Sequence, residues 1–331
     1  MVTNNAANFG TGTSGQVLTS NGAGVAPTFQ TSSGGTGGVG VFGDGSDGTQ
    51  TFDGSTTILG IVPAANVYQL TRDIFLATGI INNGITIKTF GFRIFCSGTL
   101  TNNGIIHWNG NAGVLNTAGS PISTNTCTLN PGTTSSAPGT GGGAGGTVTG
   151  SIGTNCAAFA TVLSFGGIGG AGGAGSAGAG AAAGTQTLPT SACSSIRSLP
   201  FAIMFRVFSG TGGSVSLING GTGGGGGGGD NTVAGGGGGS GAGLVAVYAK
   251  TFAGTGTISA NGGAGGSPNT GQTGGGGGGG GGVVVVISSS VSAGAISGQT
   301  ITASGGTHGT KQGSGVNGSD GNDGKVILLQ G

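Results

Sequence analysis

Gly274–Ile287 reads GGGGGGGGGVVVVI: nine glycines run without a break into five β-branched residues. A continuous β-branched stretch bounded by glycine is the pattern of a strand buried on both faces. A glycine run is ordinarily a flexible linker, because glycine loses the most backbone entropy on ordering and brings no side chain to bury. Here the run is fused to a buried strand, so its end at least is ordered. Gly235–Gly239 stands just ahead of Leu244-Val245-Ala246-Val247, and Gly223–Gly229 precedes both. Without side chains, such runs are suited to the left-handed polyproline-II helix, with about three residues per turn and about 3.1 Å rise. Several of these can pack at backbone distance and pair their N–H and C=O groups. Gly226, Gly237 and Gly278, each inside a run, are therefore expected to serve as structural packing glycines.

The pattern recurs. Asn219-Gly220-Gly221 returns as Asn261-Gly262-Gly263 and as Ser304-Gly305-Gly306, steps of 42 and 43 residues. Apolar strands centred on Ile203, Val245, Val284 and Val326 follow at steps of 42, 39 and 42. A unit of about 42 residues is implied: strand, turn, second short strand, glycine run. Between Thr51 and Gly113, apolar clusters such as Ile74-Phe75-Leu76 and Phe92–Phe95 alternate with turns, and Asn82-Asn83-Gly84 recurs as Asn102-Asn103-Gly104 after 20 residues, about the length of a two-strand unit or of one turn of a β-helical coil. The expected fold is all-β, a short-strand β-coil or sandwich with repeats of about 42 residues and packed polyglycine II segments, and essentially no α-helix. The expected division is residues 1–40, 41–118 as a β-strand domain, and 119–331 as a glycine-rich repeat domain.

Composition restricts the function. Of 331 residues 88 are Gly, and charge is confined to eight Lys/Arg and seven Asp, with no Glu. So few cations cannot neutralise many phosphates, which argues against a nucleic-acid partner. The N-terminus lacks a basic segment followed by an apolar one, and no apolar run is long enough to span a bilayer, so neither a signal peptide nor membrane insertion is expected. Disorder is disfavoured by 34% hydrophobic residues and a formal charge of +1.

Gly10–Gln30, GTGTSGQVLTSNGAGVAPTFQ, reads as a small hairpin, with Val17-Leu18, the turn pair Asn21-Gly22 and Pro27. This segment resembles one that recurs in tail-fibre and other structural proteins of tailed phages and some large viruses. The glycine-rich body resembles, in architecture, the stacked polyglycine helices of certain phage tail-tip adhesins, in which the loops joining the helices contact the host. The resemblance implies a virion protein assembled in the host cytoplasm. Its partners would be other virion proteins, through residues 1–40, and a host surface glycan or outer-membrane protein. It also suggests a homotrimer. A glycan-cleaving phage depolymerase and a cellular surface or ice-binding glycine-rich protein are the alternatives.

Chemistry-bearing motifs are sparse. Glycine runs that lead into strands do not form a phosphate loop, which needs a following helix. Asp44 and Asp47 in GDGSDG lack the ligand spacing of a calcium loop and read as a surface turn. Asp53, Asp73, Asp230, Asp320 and Asp323 are the carboxylates a depolymerase would draw on, but Asp beside Gly is most often a turn residue. His107 and His308 alone cannot hold a metal, so no cofactor is expected. His107 and Trp108 together form a candidate receptor contact, since an aromatic with a polar neighbour can stack on a sugar; a Trp buried between strands is the competing reading. Cys96, Cys127, Cys156 and Cys193 match no metal spacing and are expected to stay thiols after assembly in a reducing cytosol, with Cys156–Cys193 the one pairing open if the particle later meets an oxidising medium. A non-enzymatic fibre or adhesin is the expectation.

Overall fold

The computed structural model describes residues 16–19, 28–31, 40–115, 117–119, 145–151, 163–164, 166–185, 218–289, 291, 296 and 298–330. The chain divides into two compact units, 1–40 and 41–331. In the first, β1 (Gln16–Thr19) and β2 (Thr28–Thr31) form an antiparallel pair with Leu18 opposite Phe29, the hairpin expected from the sequence.

The second unit is all parallel in its strand pairing, and no helix occurs among the described residues. Its strands are β3 (Thr49–Phe52), β4 (Val67–Gln69), β5 (Ile74–Leu76), β6 (Thr78–Ile81), β7 (Thr86–Lys88), β8 (Arg93–Asn102), β9 (Ile105–His107), β10 (Leu163–Ser164), β11 (Ile218–Asn219), β12 (Leu244–Ala253), β13 (Thr257–Ser259), β14 (Val283–Ser288), β15 (Thr300–Thr302) and β16 (Lys325–Gln330). One sheet has the order β16-β14-β12-β8-β6-β3, with β5 also on β8; the other has β15-β13-β9-β7-β4; β10 and β11 form a separate pair. The chain therefore coils, laying one strand in the first sheet and the next in the second. Early coils are short: Ile81 pairs with Asn102 and Ile87 with Ile106, offsets of 21 and 19. Later ones are longer: Val245 pairs with Val284, Val284 with Val326 and Ile258 with Ile301, offsets of 39, 42 and 43.

The core lies between the sheets, where Phe52, Tyr68, Ile81, Leu100, Ile106, Val247, Ile258 and Val284 are fully buried. A second apolar layer covers the other face of the first sheet, with Phe95, Tyr248, Val283 and Val285 buried in it. Val283–Ile287 is thus buried on both faces, alternate valines entering opposite layers, as the unbroken β-branched run implies. The rings of Phe75, Phe95 and Tyr248 stack in register across β5, β8 and β12 at centroid distances of 4.9 and 4.7 Å.

One sequence expectation is corrected. Residues 41–118 and 119–331 are not separate domains: β12 pairs along β8 and β13 along β9, and one core runs through both ranges, because parallel strands far apart in the chain must meet to complete each sheet. The strand before β12 in sheet order is β8, so Val247 lies beside Ile94; Phe201–Phe205, on which the step of 42 from Ile203 rests, falls outside the described residues. Asn261 lies between Asn109 and Ser304: Gly110 N–H donates to the Asn261 carbonyl at 2.8 Å, Asn261 N–H to Asn109 Oδ1 at 2.7 Å, and Ser304 N–H to Asn261 Oδ1 at 2.9 Å.

Candidate recognition surface

Each late coil is drawn out at one end by two glycine-rich segments, one leaving the second sheet and one entering the first. The central segment, 274–282, accounts for all its backbone donors. Gly274, Gly277 and Gly280 N–H donate to Gly228, Gly225 and Thr222; Gly275, Gly278 and Gly281 to Val316, Ser319 and Asn322; Gly276, Gly279 and Gly282 to Gly266, Gly263 and Ala260, all at 2.7–3.0 Å. Its carbonyls accept in the same rotation, from 236, 239 and 242, from 173, 170 and 167, and from 309 and 306. Six neighbours therefore surround one chain with a period of three residues, and the buried polar backbone is satisfied without a side chain. Gly226, Gly237 and Gly278 are all buried in this body. A Cβ on Gly278 would run into the Gly306 carbonyl oxygen, and one on Gly237 into that of Thr117. Gly226 donates to the Ser151 carbonyl and accepts from Ala181 N–H, both at 2.9 Å.

The segments turn in loops that hydrogen bond to one another at the end away from the strands. Asn231 N–H donates to the Thr147 carbonyl and Ser176 N–H to that of Gln272, both at 2.9 Å. Gln272 N–H donates to Asp230 Oδ2 at 3.1 Å, Ser314 Oγ donates to Gln272 Oε1 at 2.5 Å, and Thr310 Oγ1 donates to Ser267 Oγ at 3.0 Å. Thr147–Thr149, Ser176, Asn231-Thr232, Asn269–Gln272 and Thr310–Ser314 are exposed, so among the described residues these loops offer hydroxyls and amides, the Val148 side chain, and Asp230 and Lys311 as charges. Asp230 is committed to structure: its carboxylate, held far below the usual range by the N–H groups of Val233, Gln272 and Thr232, closes its own loop and ties it to the next. Asn231 beside it adopts φ +77°, a strained conformation for a residue with a side chain.

All seven Asp side chains are engaged. Asp44 accepts from Ser46 N–H, and Asp53 from Ser55 and Thr56 N–H, closing turns. Asp47 forms a two-pronged ion pair with Arg72 and accepts Phe75 N–H at 2.7 Å. Asp73, the neighbour of Arg72 in sequence, pairs instead with Arg93, where both side chains are about nine-tenths buried. Asp320 meets His308, and Asp323 accepts Gly305 N–H. Among the described residues no three His, Cys or Asp converge as a metal site.

His107 and Trp108 do not form the expected receptor contact. Trp108 is 4% exposed, packed in the core with its ring over Gly243, because it begins the glycine segment directly under β12. His107 is half-buried at the end of β9, its Nδ1 accepting Asn109 N–H at 3.1 Å; burial, with Lys88 alongside, lowers its pKa to about 4. Cys96 is a buried free thiol, while Cys127, Cys156 and Cys193 lie outside the described residues. Sequence reading missed the loop cluster, whose signal is Thr/Asn/Gln/Ser-rich punctuation between glycine runs: DNTV, SPNTGQ and TKQGS. No protein-family model, curated protein or solved structure matches this chain.

Proposed function

We propose that this chain is a non-enzymatic virion structural protein, a fibre or receptor-binding adhesin, in which a polyglycine II bundle presents the loop cluster to a host cell surface. The observation that carries this reading is the set of five loops joined at one end of a body whose central backbone is fully hydrogen-bonded. Donors rotating among three neighbours every three residues are what three-residues-per-turn helices in side-by-side packing require. In-register offsets of 39, 42 and 43 support a coil repeat of about 42 residues. A surface rich in hydroxyls and amides suits a host glycan or the loops of an outer-membrane protein, and Asp side chains tied into turns and ion pairs leave little for hydrolysis. The 1–40 unit, whose hairpin has little to bury, serves as the connector to other virion proteins.

Mass spectrometry of purified particles tests the virion assignment. Cell binding tests the surface: replacing Asn269, Thr270 and Gln312 by Ala should abolish attachment of labelled protein to the particle's host with the melting temperature unchanged. Undiminished attachment would move the recognition site elsewhere.

A further inference from the structure

Segment 315–324 reads G-V-N-G-S-D-G-N-D-G, with glycine at every third position. That row, Gly315, Gly318, Gly321 and Gly324, lies against 274–282, where a Cβ would meet the carbonyls of Thr273, Gly276, Gly279 and Gly282. A second row, Val316, Ser319 and Asn322, donates N–H to Ala174, Ala171 and Ile168 at 2.7–2.8 Å. The third row is Asn317, Asp320 and Asp323. Each of its side chains bends over the adjoining segment, its Oδ1 accepting Lys311, His308 and Gly305 N–H at 2.9, 2.7 and 2.8 Å. In the interior, a row of N–H groups at this spacing goes to the carbonyls of another segment, as Gly275, Gly278 and Gly281 show.

We infer that Asn317, Asp320 and Asp323 are lattice terminators: they fill the acceptor sites that a further glycine segment would supply, and so stop this edge from adding one from a second copy of the chain. Hydrogen-bonded edges left open invite pairing with another molecule, and charge placed along them prevents it. The neighbouring edge carries the same device independently. Asn261 Oδ1 accepts Ser304 N–H at 2.9 Å, and Ser267 Oγ accepts Thr310 N–H at 2.8 Å. By contrast, 166–175 reads GGIGGAGGAG: it has two glycine rows, packed on 220–229 and on 315–324, and its Ile168 and Ala171 row faces outward. An oligomer of this protein would then assemble through surfaces other than the 303–324 edge.

The inference rests on the polyglycine reading, and the experiment separates the two. In the full chain, residue-resolved amide exchange should show Gly305 and His308 protected. D320A/D323A should speed their exchange about tenfold while leaving Gly275–Gly281 protected; D320N/D323N, which keeps the acceptor oxygen, should change little. Unchanged protection of Gly305 and His308 in the Ala variant overturns the inference, whereas rapid exchange of Gly275–Gly281 in the unaltered chain would sink the bundle itself. N317G/D320G/D323G creates a second glycine row, and light scattering should then show a concentration-dependent doubling of the unaltered protein's mass. A folded triple variant that keeps the original mass also overturns the inference; if it does not fold, the exchange result decides.

Discussion

Gly278→Ala should destabilise the protein strongly although it adds only a methyl group. The new Cβ would be forced into the Gly306 carbonyl, with Gly321 N at 3.0 Å, and both are backbone atoms that cannot swing aside. The 274–282 segment must therefore shift from its neighbours. The bonds most exposed to that shift are Gly278 N–H to Ser319, Gly170 N–H to Gly278, and Gly306 N–H to Gly279, at 3.0, 2.7 and 2.7 Å. Each stranded buried group costs about 1–3 kcal/mol, and two or three of them give roughly 3–5 kcal/mol. Stiffening of the unfolded chain by Ala returns about 0.4–1 kcal/mol. The net loss of about 2–4 kcal/mol corresponds to a fall in Tm of roughly 5–10 °C for a body of this size. Scanning calorimetry would measure it, with Thr307→Ala, on an exposed position of the next segment, as a control expected to stay within about 0.5 kcal/mol. An unchanged or higher Tm for Gly278→Ala would refute backbone-to-backbone packing.

Trp108→Ala should cost about 3–5 kcal/mol in chemical denaturation and leave host attachment of the surviving folded protein intact, the reverse of what a receptor contact predicts. His107 stays neutral in the folded protein down to about pH 4, while an unfolded histidine takes a proton near 6.5. Between these values the unfolded state binds more protons, so stability should fall as pH drops from 6.5 to 4, and His107→Gln should flatten that slope in urea titrations. The Asp47 carboxyl is held below its ordinary value by the Arg72 hydrogen bonds, so its contribution is present above about pH 4 and disappears as pH falls through the folded value; Asp47→Asn should lower Tm more at pH 7 than at pH 3. Deleting residues 1–40 should leave a soluble, protease-resistant body that still binds cells and no longer joins the particle, scored by particle incorporation.

The parts of the fold that were legible are those in which one short stretch determines its own environment. Val283–Ile287 declared a strand buried on both sides, Val17-Leu18 with its turn residues declared a hairpin, and the recurrence of Asn-Asn-Gly after 20 residues matched the early coil offsets of 21 and 19. What depended on distant partners was not legible. The union of β8 with β12 spans about 150 residues of chain, and a parallel pairing leaves no trace in local sequence period. Asp73 follows Arg72 directly in the chain, but strands one coil apart bring Arg93 to it and Asp47 to Arg72. Trp108 looked available for stacking because its exposure is set by Gly243, which is 135 positions further on. The loop cluster was hidden because each loop alone is an ordinary polar turn; only the packing of the glycine segments gathers them.

The rotation of hydrogen-bond partners every three residues along 274–282 also constrains how this gene can change length. Tracts of repeated glycine codons gain and lose units by replication slippage. In the polyglycine II geometry proposed for these segments, adding one residue turns everything beyond it by about 120°, swinging an outward row into the packed side. Adding three restores the phase and, with the proposed polyglycine II geometry, lengthens the segment by about 9 Å. Natural relatives should therefore differ in these tracts by multiples of three residues, with single-residue differences confined to the loops.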